Sequence, residues 1–475
     1  MNMIAITPLL DKNSRSPLYL QLYHYVRKEI ETGSLSAEQS LPSIRQLAQH
    51  LGISKNTVEA AYGQLVAEGY VASRERGGYR VQPLDELIPP HPADSHVPDA
   101  NNRARLEKQK KPEFDFRYGD IAFDRFPHSI WRSCMTEALS SNPLDVLGYG
   151  DPFGHLGLRE EIARYVYQSR GVDCAADQIY ICAGTQHAIS MLVQLLELQT
   201  SVIAMEEPGY DGVKTVFRHL GCALQPIGIA HDGIDVEQLQ DAAGRAKAVY
   251  VTPSHQFPLG MVMPVQKRLR LLQWAAEHDR FIIEDDYDSE FRYNSAPIPA
   301  LKALDTHDRV IYTGTFSKSF LPGVRLSYTI LPSKLLDQVR RKLGSYSQAS
   351  SPIIQQAVWI FMKQGHFARH VRRMRRVYQI RHKTLIDAIR NQFGDRARVI
   401  GDSSGMHLLL DVPGMGTEQL MELAESSGCR VYSPAKHWNE PKNCPPSYVM
   451  IGFGGLSEQQ LKDGVKRLKK AWLNL

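Results

Sequence analysis

A chain of 475 residues exceeds the roughly 100 to 200 residues of one typical domain, and 43% hydrophobic content is enough to fill sizeable cores. A net charge of +5 is too mild to name a nucleic-acid partner and would suit many enzymes equally well. The six cysteines (Cys134, Cys174, Cys182, Cys222, Cys429, Cys444) are scattered without CxxC pairs or a histidine cluster, so reduced thiols are expected and no metal site is. The N-terminus lacks a basic stretch followed by a sustained apolar segment, and no run approaches the roughly 18 apolar residues of a membrane helix. A soluble, cytoplasmic protein with no membrane partner is expected.

From Pro17 to Gly33, the apolar residues Leu18, Leu22, Tyr23, Val26 and Ile30 share one helical face. Ser43 then caps a short helix through Leu51 that Gly52 ends, with Ile44, Leu47, Ala48 and Leu51 on its core face. Ser54 caps a third helix running to Gly69 on Val58, Ala61, Tyr62, Leu65 and Val66. The segments 70–73 and 79–82 flank the basic turn Arg74-Glu75-Arg76-Gly77-Gly78 and predict a hairpin wing.

Over 83–113 periodicity is lost while proline (Pro89, Pro90, Pro92, Pro98) and basic charge gather, which predicts a linker. Beyond it, strand-like runs at 179–182, 202–205, 248–251, 281–283 and 310–312 alternate with helical stretches. That rhythm predicts an α/β domain with a mostly parallel central sheet. The division is therefore 1–82, a linker over 83–113, and 114–475.

The third helix begins Ser54-Lys55-Asn56-Thr57, small polar and basic side chains at a helix N-terminus, an end that can enter a major groove. Lys and Asn can reach base edges there, while Ser, Thr and backbone amides bind phosphate. Ser43 and Arg45 on the preceding helix and Arg74, Arg76 and Gly78 in the wing would add backbone or minor-groove contacts. Helix periodicity alone equally fits a small bundle with no DNA role. The ordered segments 41–48, 52–58 and 65–70, however, resemble the GntR family of winged helix-turn-helix regulators over essentially all of 17–82. The resemblance implies DNA approach by Arg45, Ser54, Lys55, Asn56, Thr57 and the wing glycines. Glu59 departs from it, since many relatives have arginine there.

Thr313-Gly314-Thr315-Phe316-Ser317-Lys318, with Arg325 following, lies just after a strand. A lysine among hydroxyls and small residues can form a Schiff base with an aldehyde, and Thr315, Ser317 and Arg325 can hold a phosphate beside it. Alone, such a lysine is ordinarily a solvated loop residue. Three further segments carry the case. Glu284-Asp285-Asp286-Tyr287 ends a strand, where a carboxylate can keep a pyridine nitrogen protonated and a phenol can donate to a ring oxygen. Gly184-Thr185-Gln186 opens a helix, a phosphate-binding end. Tyr210 can stack on a cofactor ring.

Together with 147–151, 157–159, 207–210 and 252–260, these pieces resemble fold-type I aminotransferases, and the fusion resembles the MocR subfamily of GntR regulators. The resemblance implies pyridoxal 5'-phosphate on Lys318, Asp285 at the ring nitrogen with Asp286 as fallback, Tyr287 and His255 near the phenolic oxygen, and Tyr210 stacked. Gly184, Thr185, Gln186, Thr315, Ser317 and Arg325 would lie at the phosphate, and Tyr149 would reach the partner's cofactor across a homodimer. His255 stands where typical aminotransferases have asparagine, and Met450 about where many place an arginine for the substrate carboxylate; Arg430 is the candidate substitute. The cationic run 363–383, with Arg369, Arg372, Arg373, Arg375, Arg376 and Arg381, reads either as one helix that steers DNA or as a solvated face. The function implied is a transcription regulator that binds operator DNA as a dimer and senses an amino compound or pyridoxal phosphate through external aldimine formation. The alternative is a working aminotransferase with an accessory DNA-binding domain.

Overall fold

The computed structural model describes residues 6–11, 14, 16–74, 78–84, 112–142, 146–242, 244–293 and 298–473. Two units emerge, Met1–Lys110 and Lys111–Leu475. Arg76 and most of the expected linker, 85–111, lie outside the described residues.

In the first unit, α1 (Leu18–Glu31) buries Leu22, Tyr23, Val26 and Ile30. Helix α2 (Ile44–Leu51) begins at a reciprocal cap: the Ser43 hydroxyl accepts the Gln46 N–H, and the Gln46 side chain accepts the Ser43 N–H. It ends at Gly52, whose φ of 65° lies in the left-handed region that favours glycine. Helix α3 (Lys55–Ala67) is capped by the Ser54 hydroxyl, which accepts the Thr57 N–H at 3.1 Å. Its buried face, Val58, Ala61, Tyr62 and Leu65, packs with that of α1 into one core. Strands β1 (Val71–Arg74) and β2 (Gly78–Val81) pair antiparallel with Val71 opposite Val81, one residue out of step with the sequence expectation at each outer end. The buried Val71 and Val81 set that register, because a slip of one residue would turn the slipped strand's valine outward.

The second unit is built on an eight-stranded sheet. Its strands are β4 (Ile179–Cys182), β5 (Val202–Glu207), β6 (Ala223–Ala230), β7 (Gly233–Ile234), β8 (Ala246–Val251), β9 (Phe281–Asp286), β10 (Val310–Thr315) and β11 (Ser327–Ile330), in spatial order β4-β11-β10-β9-β8-β5-β6-β7. Neighbours from β10 through β6 pair in parallel, while β11 and β7 run antiparallel to theirs. The continuous apolar runs read from the sequence are thus strands buried on both faces. A smaller antiparallel sheet near the C-terminus packs with helices His366–Phe393 and Glu458–Leu473 around Leu385, Ile389, Val465 and Trp472. Among the described residues no helix is long and apolar enough to cross a membrane.

The cationic run is not one helix. Helix Pro352–Lys363 stops before Gly365, at φ 72°, and a second helix runs from His366 to Phe393. Part of its charge is consumed inside the fold. Arg381 is buried, donates to the Gly454 carbonyl and pairs with Asp124; Arg375 donates to the Arg292 carbonyl and Arg373 to that of Arg125. Lys363, Arg369, Arg372, Arg373, Arg376 and Lys383 remain exposed, so the face available to steer DNA lacks Arg381 and part of Arg375.

Replacing Ser54 by alanine removes the α3 cap and should destabilise the N-terminal unit by about 1 kcal/mol. Glu59→Ala, on the exposed face, should move it by less than about 0.5 kcal/mol. Amide hydrogen exchange of α3 in the full chain measures both.

Candidate cofactor-binding site

Strands β5, β8, β9 and β10 lie side by side in parallel, so their carboxyl ends deliver side chains to one edge of the sheet. A cavity of about 260 Å³ opens there. Tyr210 enters it from beyond β5, Thr252 and Phe257 from beyond β8, and Asp285 and Tyr287 from the end of β9. Thr315, Ser317 and Lys318 come from the end of β10, Thr185 and Gln186 from the helix after β4, and Arg325 from just before β11.

The pleat of β9 separates its carboxylates. Glu284 accepts the Leu301 and Lys302 N–H groups at 2.8 Å, and Asp286 takes Arg170 and Tyr312, both at 2.6 Å. Asp285 between them turns the other way, into the cavity. The Tyr250 hydroxyl donates to its Oδ2, while its Oδ1 is buried without a hydrogen-bond partner. Burial, with Asp286, Asp288 and Glu284 nearby, pushes the Asp285 carboxyl up to about 7, against the hydrogen bond from Tyr250. The fallback Asp286 is therefore the structural carboxylate of the pair and does not line the cavity.

Lys318 Nζ stands 4.2 Å from the centre of the Tyr118 ring. Desolvation pulls its ammonium down to about 8, partly offset by Asp288 and Asp120. Opposite, Gly184 caps the helix Thr185–Leu195 at φ 99°, and a Cβ on it would fall 2.5 Å from an Arg325 guanidinium nitrogen. Arg325 itself holds a left-handed backbone, φ 51°. The Thr315 hydroxyl accepts the Ser317 N–H and lies 3.1 Å from the Ser317 hydroxyl. Hydroxyls, free helix-end amides and a guanidinium thus converge in the manner of an anion cradle.

Three expected residues lie elsewhere. His255 does not line the cavity: it sits behind Tyr287, with its Nδ1 2.9 Å from the phenol oxygen and 3.0 Å from Asp288. Tyr149 is 84% exposed and lines a separate hollow of about 290 Å³ with Asp151, His155 and Gln355. Arg430 is a correction: its guanidinium pairs with Glu425 at 2.8 Å and does not face the cavity. Met450 is buried against Phe257, Tyr287 and Leu409. Sequence reasoning missed Tyr118, Tyr250, Thr252 and Phe257. Tyr250, a phenol in an otherwise apolar buried strand, was the one with a readable signal.

In the N-terminal unit, Arg45, Ser54, Lys55 and Asn56 are exposed and no acidic residue occupies the first turn of α3. The Ser43 and Ser54 hydroxyls are engaged as caps. Gly78 starts β2 at φ 73°.

Residues 125–468 match the family described as aminotransferase class I and II, and residues 18–81 match bacterial regulatory proteins of the gntR family. The probable rhizopine catabolism regulatory protein MocR of Rhizobium meliloti is 33% identical over 98% of this chain and 96% of its own length. The chain belongs to the MocR-type regulators. A second relative of the same build, the uncharacterized HTH-type transcriptional regulator YdeL of Bacillus subtilis, is 39% identical over 98% of this chain and 99% of itself. The pyridoxine biosynthesis regulator PdxR of Corynebacterium glutamicum is 30% identical over 97% of both chains. Among solved structures, an archaeal alanine:glyoxylate aminotransferase superposes with a TM-score of 0.72 at 25% identity, covering 79% of this chain and 94% of its own. This MocR-type chain therefore combines a gntR-family DNA-binding head with a fold-type I aminotransferase domain.

That domain class works with pyridoxal 5'-phosphate, and the residues present fit it. The decisive observation is the unpartnered, buried Asp285 Oδ1 in the same cavity as a desolvated lysine and an anion cradle. A buried carboxyl poised near neutrality ionises readily once a cationic partner is supplied.

Covalent attachment needs a neutral Lys318 amine. With its ionisation near 8, about a tenth is neutral at pH 7, against roughly one in three thousand for an ordinary lysine. The rate of cofactor attachment to cofactor-free protein, followed by absorption, should rise about fivefold from pH 7 to 8 and less than about twofold more above that. Lys318→Ala should abolish attachment at every pH.

Proposed function

We propose that this protein is a cytoplasmic, ligand-responsive transcription regulator, organised as a DNA-binding head over 1–82, a linker over 83–113 and a cofactor domain over 114–475. The head binds operator DNA, and the cofactor domain senses a primary amine or pyridoxal phosphate itself. The cavity carries the sensing half of this reading: Lys318, Asp285 and the Thr185, Ser317 and Arg325 cradle share it.

Pyridoxal phosphate, when bound, supplies an aldehyde carbon that takes a primary amine and a pyridine ring that withdraws electrons. The Lys318 Nζ is the chain's own amine for that carbon, and a competing amine must displace it. Asp285 Oδ1 would hold the proton of the ring nitrogen. Tyr287 would donate to the ring's phenolic oxygen, and Tyr210 would cover one face of the ring. Thr185, Gln186, Ser317 and Arg325 bind the phosphate, with Gly184 leaving the room they need. In a homodimer Tyr149 would reach the partner's site; the exposed Tyr149 and Leu156, which line one hollow, support such an interface, since adjoining exposed apolar side chains mark association surfaces.

On DNA, α3 enters the major groove. Lys55 and Asn56 carry base and phosphate contacts, with Arg45 on the flanking backbone; Arg76 and Gly78 of the wing follow the adjacent groove. An amine changes DNA affinity only by the difference in its affinities for the DNA-binding and non-binding arrangements.

The test uses the full-length chain on DNA fragments that it enriches from genomic DNA. Asn56→Ala should weaken binding by about 1 to 3 kcal/mol, and Lys55→Ala should weaken it across sequences with a salt slope smaller by about one. Candidate amines should shift the affinity of wild-type protein and leave Lys318→Ala unmoved. Sustained keto-acid production at about one turnover per second or faster would instead identify a working aminotransferase.

A further inference from the structure

Behind the cavity wall lies a buried polar group that the mechanism above leaves without a task. His255 is 2% exposed, and Asp288 and His407 are 1% exposed. Three elements meet there: the loop after β8 brings His255, the loop after β9 brings Tyr287 and Asp288, and the strand His407–Asp411 brings His407. Both Asp288 carboxylate oxygens lie within reach of His255 Nδ1, at 3.0 and 3.1 Å, and the Tyr287 hydroxyl lies 2.9 Å from the same nitrogen. Tyr287 also donates to the His255 carbonyl at 2.9 Å.

A carboxylate only accepts, so Asp288 holds the imidazole proton on Nδ1. That leaves the Tyr287 oxygen as a second acceptor of the Nδ1–H and its own proton as the donor. The ring is locked in place. A Cβ on Gly405 would fall 2.0 Å from His255 Cε1, so that backbone presses on the imidazole. The His407 ring stands 5.3 Å away, donating from Nε2 to the Pro258 carbonyl, and burial holds it neutral. Tyr118 and Phe257 complete the enclosure around His407. Although His255, Asp288 and His407 offer donor atoms within 4.8 Å of one another, Nδ1 is already occupied by Asp288 and Tyr287, which speaks for a hydrogen-bond chain over a metal site.

We propose that Asp288 and His255 form a positioning dyad for Tyr287, aiming its hydroxyl at the cofactor's phenolic oxygen and strengthening it as a donor. The inference rests on the cofactor reading of the cavity. Without the dyad, the Tyr287 proton has no polarising partner on its own oxygen and its ring has no polar anchor on that side. With it, the chain Asp288, His255, Tyr287 runs from a buried charge to the cavity wall, and each hydrogen bond polarises the next. Turning the Tyr287 proton from the His255 carbonyl to the cavity requires only rotation about its C–O bond.

The test is a double-mutant cycle of His255→Leu and Tyr287→Phe in the full chain, reading pyridoxal phosphate affinity and the pH midpoint of the bound-cofactor absorption band, with thermal unfolding alongside. In the Tyr287 background, His255→Leu should weaken cofactor binding about tenfold and move the midpoint by about one pH unit; in the Tyr287→Phe background both effects should shrink to about twofold or less. His255→Asn, which keeps an amide donor, should retain most of the wild-type behaviour, and Asp288→Leu, which removes the other member of the dyad, carries the cycle if the His255→Leu variant does not fold. Equal losses in both backgrounds would overturn the dyad, as would an effect that a chelator abolishes. Absence of any cofactor band in wild type would overturn the cofactor reading itself, and the dyad with it.

Discussion

Three consecutive buried carboxylates, Glu284, Asp285 and Asp286, are the constraint around which the larger unit is arranged. Burying an unpaired carboxylate costs several kcal/mol, and three in a row on one face would repel as well. The pleat resolves this by sending the outer two to one side of the sheet and the middle one to the other. Glu284 is met by two backbone N–H groups, and Asp286 by Arg170 and Tyr312. Arg170 in turn donates to the Ser254 hydroxyl and the Ile298 carbonyl, so one guanidinium ties the helix Leu156–Arg170 to β9, the loop after β8 and residue 298. Asp285 is the one of the three that lines the cavity, and its Oδ1 is buried there without a partner. An under-satisfied carboxylate turned into a cavity marks where the fold gives up stability for function.

The opposite end of the cavity follows complementary logic. Lys318 and Arg325 are the cations of its lining, and they serve different ends: the lysine is desolvated toward neutrality, while the guanidinium stays charged whatever its surroundings. A nucleophilic amine and an anion clamp in one small volume would otherwise interfere, since a nearby phosphate favours the charged ammonium. Placing Arg325 against the Gly184 turn, at the N-terminus of a helix, puts a fixed counter-charge where the anion sits and spares Lys318 that role.

Much of this was legible in the sequence because it is local. Capping serines, the glycine that ends α2, the strand runs and the Thr315-Phe316-Ser317-Lys318 segment are short-range signals; the structure places the caps and the glycine as expected and extends several strands by two or three residues beyond their apolar runs. What failed to show was set by distance in three dimensions. The run 363–383 looked uniformly solvated because its partners, Asp124, Gly454 and the Arg125 and Arg292 carbonyls, lie far away in the chain. Arg430 is a different case: its partner Glu425 lies only five residues back, at the end of a helix, and meets it because the chain turns there into a strand. The choice between Asp285 and Asp286 needed a strand to be three residues longer than its apolar core suggests, so that the pleat could separate them. Tyr118, from a loop with no motif, had no signal at all.

The enzyme fold also limits what kind of sensor it can become. On the proposed reading, a site that attached its cofactor through Lys318 and exchanged the lysine for an incoming amine would bind both states through the same phosphate cradle and the same Asp285, so most of the binding free energy would be common to them. Only the difference, confined to the lysine, the amine's own substituent and the side chains facing it, is available to shift DNA affinity. Couplings between distant sites of about 1 to 3 kcal/mol are within reach of such a difference. Those side chains, Tyr118 and Phe257 foremost, are therefore where related chains can diverge in the amine they answer to while Lys318, Asp285 and the cradle stay as they are.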